Sequence, residues 1–327
     1  MRSRDWIAAT LVAFFATVGG GVGACKSRSA ASKTSADGGL ASPAATASGL
    51  FVPVVRVLPD AGPLASAIPV PASKVEEAVN PRKLAPYAGP TGVVEGAVRA
   101  NGDRPPKREI TIPFECGEAY ATYEKAFREG DGRALADVLV AVTGYDGYVP
   151  PSSAAQRVKI HGCAFDRRTV AMTYGQRLEV TNTDIQQSFL PTLLGLEMPA
   201  QNVAMPRGDA VKLYPTEVGH YALADGMNRT WMYADVFVLR YPTYAVTGLD
   251  GRYRVEGVPV GKVKVSAYLP AIDRDLHPDV GIARSSVERE VEVKAGETTQ
   301  ADFVIPYKQP KPTKAKPPSE TKAPIIR

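Results

Sequence analysis

Thr247-Gly248-Leu249-Asp250-Gly251-Arg252-Tyr253-Arg254-Val255, followed by Val258-Pro259-Val260-Gly261-Lys262-Val263-Lys264-Val265, is the stretch that decides the fold. Tyr253 and Val255, then Val263 and Val265, alternate with Arg and Lys at a period of two, the signature of a strand with one face buried. Asp250-Gly251 supplies the hairpin turn, and Gly261 lets the chain enter the next strand tightly. Working outward, the same texture recurs at 93–99 (ending in the turn Asn101-Gly102), 108–114, 137–143, 157–161, 169–173, 177–182, 210–214, 220–223, 233–239, 287–293 and 300–305. One helix is expected, over 118–129, where Tyr120, Tyr123 and Phe127 fall at helical spacing and Gly130 would end it. The fold class is therefore all-β. The span 92–306 exceeds one ordinary sandwich, so two β-sandwich units are expected.

The flanks have another composition. Residues 25–90 are rich in Ala, Pro and Ser and read as a disordered tether, since such a stretch buries too little apolar surface to offset its ordering entropy. Residues 308–327 read as a disordered, basic, Pro/Lys-rich tail with six basic residues against Glu320. The net charge of +5 is modest, and no nucleic-acid partner is expected from it.

At the start of the chain, Arg2 and Arg4 precede an apolar run over 6–18, and Val22-Gly23-Ala24-Cys25 follows. This order resembles the signal peptide of a bacterial lipoprotein, which implies a leader over 1–24, lipid modification of Cys25 and a membrane partner through that anchor. A spanning helix fits less well, because Gly19-Gly20-Gly21 interrupts the apolar run. The resemblance places the protein in the cell envelope, at the outer membrane, facing periplasm or surface. Cys116 and Cys163 are then an even pair in an oxidising compartment, and a disulfide is expected.

Two family resemblances rest on specific residues. The stretch 247–265 resembles the carboxypeptidase regulatory-like domain, a transthyretin-like sandwich that implies no peptidase activity. Gly162-Cys163-Ala164-Phe165, then Gly175-Gln176-Arg177-Leu178-Glu179-Val180-Thr181-Asn182-Thr183-Asp184 and the later Trp231-Met232, resemble envelope proteins with a cupredoxin-like, plastocyanin-type domain. That resemblance implies a copper pocket, and this chain departs from it. The positions of the two imidazoles hold Ser188 and Arg229, the thiolate position holds Gly226, and only the axial thioether persists, as Met232. A blue-copper centre needs two imidazoles and a thiolate, so no cofactor is expected.

Other constellations are thinner. Met227 and Met232 with His220 form an alternative thioether site for Cu(I), in a region that also holds Met198 and Met205. His161 reads as a strand-end residue near Cys163, and His277 lies in a polar loop with Asp273, Asp275 and Asp279 that lacks EF-hand spacing. No nucleophile elbow, zinc-protease helix, Cys-x-x-Cys or phosphate loop occurs, so the protein is expected not to be an enzyme.

These readings give a degenerate cupredoxin-like domain over 91–241 and a regulatory-like sandwich over 242–307. Strands near 92–98 and 137–143 could instead pack with the second unit, which would make the first an insertion. The expected function is a non-catalytic interaction or ligand-binding module for an envelope protein or glycan; the alternative is a copper-binding protein using the methionine site. Phe189, Leu190, Leu193, Leu194 and Trp231 either form an exposed binding loop or fill the vacated metal pocket.

Overall fold

The structure, a computed structural model, describes residues 65–196, 198–270 and 285–309. The leader 1–24, Cys25, most of the expected tether, the His277 loop and the tail beyond 309 lie outside the described residues. Two strands open the fold, β1 (Thr91–Gly102) and β2 (Leu139–Thr143). Eight follow: β3 (Gln156–His161), β4 (Ala164–Phe165), β5 (Thr169–Thr173), β6 (Leu178–Asn182), β7 (Pro191–Leu194), β8 (Val211–Leu213), β9 (Gly219–Asp225) and β10 (Tyr233–Leu239). The last six are β11 (Tyr244–Val246), β12 (Arg252–Pro259), β13 (Gly261–Leu269), β14 (Ser285–Val293), β15 (Thr298–Gln300) and β16 (Phe303–Tyr307).

Strands β3–β10 form a sandwich of their own, with sheets ordered β5-β10-β9-β7 and β4-β3-β6-β8. Its core holds Val158, Ile160, Leu178, Val180, Leu223 and Val236, all fully buried. Strands β1 and β2 do not join it. β1 pairs with β12, β15 and β16, and β2 lies between β11 and β13, with β14 on the far edge. The expected boundary at 91–241 therefore gives way to an insertion: the first sandwich interrupts the second between β2 and β11. The reason is register, since Val94 and Val98 of β1 face the same core as Tyr253, Val255 and Val265. Gly251 makes the closing turn at φ +69°, and a Cβ there would lie 2.5 Å from the Val98 carbonyl oxygen.

The two sandwiches meet back to back. Leu139, Ala171 and Phe237 are buried between them, with Tyr244, Val246 and Tyr268 packed alongside. Phe237 meets Tyr268 edge to face at 5.4 Å between ring centroids.

Three expectations need correction. Residues 108–114 form no strand; Pro105, Pro106 and Pro113 deny a ladder its donors, and the segment instead carries the chain from β1 to the inserted core through Ile112. The expected helix over 118–129 shortens to α2 (Ala119–Tyr123). The carbonyls of Lys125 and Ala126 accept from the Arg168 guanidinium at 2.9 and 2.7 Å, and Tyr123 and Phe127 enter different cores. Finally, residues 65–90 are part of the fold rather than tether. The helix that precedes α2, α1 (Ala72–Val79), sets Val75, Ala78 and Val79 against the inserted core. Ser66 is fully buried, its carbonyl accepting from the Tyr214 N–H at 2.9 Å. Among the described residues no helix is long and apolar enough to cross a membrane.

Candidate functional site

The loop after β6 and the turn between β9 and β10 converge at one end of the inserted sandwich. Asn182 shapes the first: its amide donates to the carbonyls of Gln187 and Ala204 at 2.7 and 2.9 Å, and its oxygen accepts from the Asp184 N–H at 3.0 Å. Asp184 in turn accepts from the Gly162 N–H at 2.8 Å, tying this loop to the β3–β4 turn. Cys163 of that turn forms a disulfide with Cys116 (S–S 2.01 Å), and both residues are buried.

Arg229 organises what lies between. It donates to Asp225 Oδ2 at 2.8 Å, to Gln187 Oε1 at 3.0 Å and to the Ser188 carbonyl at 3.3 Å, and it lies over the Phe189 ring at 4.3 Å. Asp225, at the end of β9, has no exposed side-chain surface; its other oxygen accepts from the Leu190 N–H at 2.7 Å. Arginine can only donate, so its contact fixes Gln187 Oε1 as an acceptor, and that oxygen lies 3.2 Å from Cys163 Sγ. Trp231 donates to the Cys163 carbonyl at 3.2 Å, and Met232 is buried beneath.

Of the four positions that the resemblance assigns to copper, Ser188 and Arg229 touch, and the residues on the four do not fit the metal. Ser188 and Gly226 offer no imidazole or thiolate, and Arg229 adds positive charge. A Cβ on Gly226 would meet Leu190 Cδ2 at 2.8 Å and Thr192 Oγ1 at 3.2 Å, so a larger residue there would have to displace the Leu190 side chain.

The alternative thioether set is not brought together. His220 sits near the start of β9, in register with Phe237, whereas Met232 immediately precedes β10, whose first residue Tyr233 faces Ala224. Four residues of strand, roughly 13 Å, separate the two positions. His220 stacks on Phe237 at 4.7 Å and bonds Asp235 Oδ1 at 2.5 Å, an oxygen that also accepts from the Tyr233 hydroxyl. Met198, Met205 and Met227 are exposed. His161 is exposed between Glu118 (3.2 Å) and Asp184 (3.5 Å). Among the described residues no group of three His, Cys, Asp or Glu side chains is arranged to hold a metal.

The apolar loop residues are mostly buried. Phe189 and Leu193 are fully buried, Trp231 nearly so, and Leu190 and Leu194 half-buried. Phe189, Leu193 and Trp231 belong to the core of the inserted sandwich, and Phe189 lies under the Arg229 guanidinium. The exposed apolar residues in the neighbouring segments are others: Phe114, fully exposed, Ile185 at 63%, Met205 at 57% and Met227 at 41%. Phe114, Ile185 and Met227 each stand two positions before Cys116, Gln187 and Arg229, and Met205 Sδ lies 3.8 Å from Ser188 Oγ.

Sequence reasoning missed a second polar cluster, at the junction of the sandwiches. Arg168, buried, crosses there to the carbonyls of Lys125 and Ala126 just after α2, and Arg128 pairs with Asp137. Burial lowers the pKa of Arg168; for Arg128 burial acts the same way, but the hydrogen bonds and charge of Asp137 outweigh it and raise the pKa. A cleft of about 460 Å³ opens beside this cluster, and the charged groups that line it, Arg128 with Asp137 and Arg167 with Asp166, are already paired. The i, i+4 spacing of Asp225 and Arg229 was visible in the sequence, but it lies in a turn, where helical spacing rules carry no weight.

Parts of solved structures resemble this chain. A copper-containing nitrite reductase (NirK) from Thermus scotoductus SA-01 matches at 16% identity over 30% of this chain and 25% of its own, with a TM-score of 0.23. Amicyanin from Paracoccus versutus matches at 17% identity over 31% of this chain and 97% of its own, with a TM-score of 0.24. No family model matches the chain, and no curated protein does.

Proposed function

We propose that this protein is a lipid-anchored, non-catalytic module of the cell envelope that engages an envelope protein through the end of its inserted sandwich. In this reading the inserted sandwich is of cupredoxin type without its copper ligands, and the sandwich it interrupts is transthyretin-like. The observation that carries the proposal is the exposure of four apolar side chains, Phe114, Ile185, Met205 and Met227, on segments that also carry Cys116, Gln187, Ser188 and Arg229 or touch them. Solvent-exposed apolar groups gathered at one end mark contact surfaces more often than scattered ones do. The anchor is supported by the basic, apolar, small-residue order that ends at Cys25.

Site-specific photo-crosslinking in the native envelope tests this. A photoreactive residue at Phe114, Ile185 or Met227 is expected to trap the same protein, while one at Val304, exposed on β16 of the other sandwich, traps none. Equal trapping from all four positions, or none from the first three, refutes the reading.

A further inference from the structure

We propose that the Arg229 guanidinium is the resident cation of this pocket, a permanent, covalently tethered charge in the position where the cupredoxin-like resemblance would place a metal. This inference concerns the interior of the site and does not depend on which partner the rim engages.

Three oxygens converge on the guanidinium: Asp225 Oδ2, Gln187 Oε1 and the Ser188 carbonyl. They come from both loops that build the pocket, and the face of Phe189 closes one side of the group. Oxygens of this kind are hard donors, poorly matched to copper and well matched to N–H groups. Asp225 is the one carboxylate of the set, with no exposed side-chain surface, and Arg229 is the charge that compensates it. A planar fork can serve several acceptors at once without dissociating, so the pocket is held closed whatever the metal supply. The cation therefore does for the two loops what a metal does by coordination: it ties 187–189 to 225–229.

The geometry makes a specific prediction for the full-length protein. Arg229→Ala removes the cation and leaves its oxygens around a cavity of guanidinium shape. Its thermal midpoint is expected to fall by about 10 °C. Methylguanidinium should then raise it in a saturable manner, while methylammonium and potassium chloride at equal ionic strength do not. The wild type, and a variant carrying Asp225→Leu with Arg229→Ala, should show no such gain. A midpoint within about 2 °C of wild type, a gain common to all three salts, or an equal gain in the double variant overturns the proposal. Should Arg229→Ala not fold, Asp225→Leu with Arg229→Met, which removes both charges together, is expected to restore a folded protein. Failure of that pair to fold also overturns the proposal.

Discussion

Asp137 holds Arg128 through both of its carboxylate oxygens, at 2.7 and 2.6 Å, and the same residue receives the Arg168 backbone N–H at 3.2 Å. Arg128 follows Phe127 of the outer core, and Arg168 leads into β5 of the inserted sandwich, so one carboxylate joins the two units. Asp137→Asn keeps a residue that tolerates the observed φ of +63° but removes the charge. Arg128 would then lose its paired charge and Arg168 one of the two carboxylates whose charge favours it, so the expected loss is about 2–3 kcal/mol. Urea unfolding of the full-length protein measures it, and a loss below about 0.5 kcal/mol would make the pair a surface ornament.

The disulfide bounds a loop with a sequence separation of 47 that contains α2, β2 and the crossing between sandwiches. Replacing Cys116 and Cys163 by Ala is expected to cost about 4 kcal/mol in the chain-entropy account. The bond also stands beside Gln187, so its loss should loosen that loop in particular. Hydrogen exchange of the Gly162 and Cys163 amides, which donate to Asp184, is the sensitive readout. Unchanged exchange in the double variant would separate the staple from the pocket.

Strand existence was legible in the sequence because one-sided burial writes a period of two into β12 and β13, where Tyr253, Val255, Val263 and Val265 point inward. Strand partnership was not. Val94 and Val98 carry the same alternation whichever sandwich they serve, and only the register with 252–259 assigns them. Composition misread residues 65–90 for a related reason. An Ala- and Pro-rich stretch needs few apolar side chains to dock, and Val75, Ala78 and Val79 suffice where a larger core already exists. That Ser188, Gly226 and Arg229 offer no imidazole or thiolate was visible residue by residue, but the cluster around Arg229 was not, because Gln187, Asp225 and Arg229 come together only through folding.

Tyr123 sets an alkaline limit. Its phenol is fully buried, and burial pushes its pKa from 10.0 up to about 12, outweighing the opposing effect of the Phe165 N–H that donates to it. A raised folded-state pKa means that the protonated form is favoured by folding. The contribution is therefore complete below pH 10, falls as pH rises towards 12, and amounts to about 2–3 kcal/mol across that window. Tyrosinate absorbance and circular dichroism followed together should show a cooperative step above pH 10. In Tyr123→Phe the step should shift upward in pH, even though about 1 kcal/mol is lost at neutral pH with the hydrogen bond. An alkaline transition unmoved by Tyr123→Phe would assign the limit to another group.

Phe189 and Phe114 lie within two residues of the same network and should behave in opposite ways. Phe189 is fully buried with Arg229 over its ring, so Phe189→Ala opens a cavity and uncovers the guanidinium. The expected cost is about 3–5 kcal/mol, with an added cation–π loss of about 1 kcal/mol. Phe114 is fully exposed, and Phe114→Ser should change stability by less than about 0.5 kcal/mol. On the proposed function the order reverses for binding: Phe114→Ser should abolish crosslinking from Ile185 and Met227, whereas a conservative Phe189→Leu should retain it. Denaturant midpoints and crosslinking yields on the same two variants check both halves. If Phe189→Leu lost the partner while Phe114→Ser kept it, the contact surface would have to be the buried loop, and the pocket would have to open to bind.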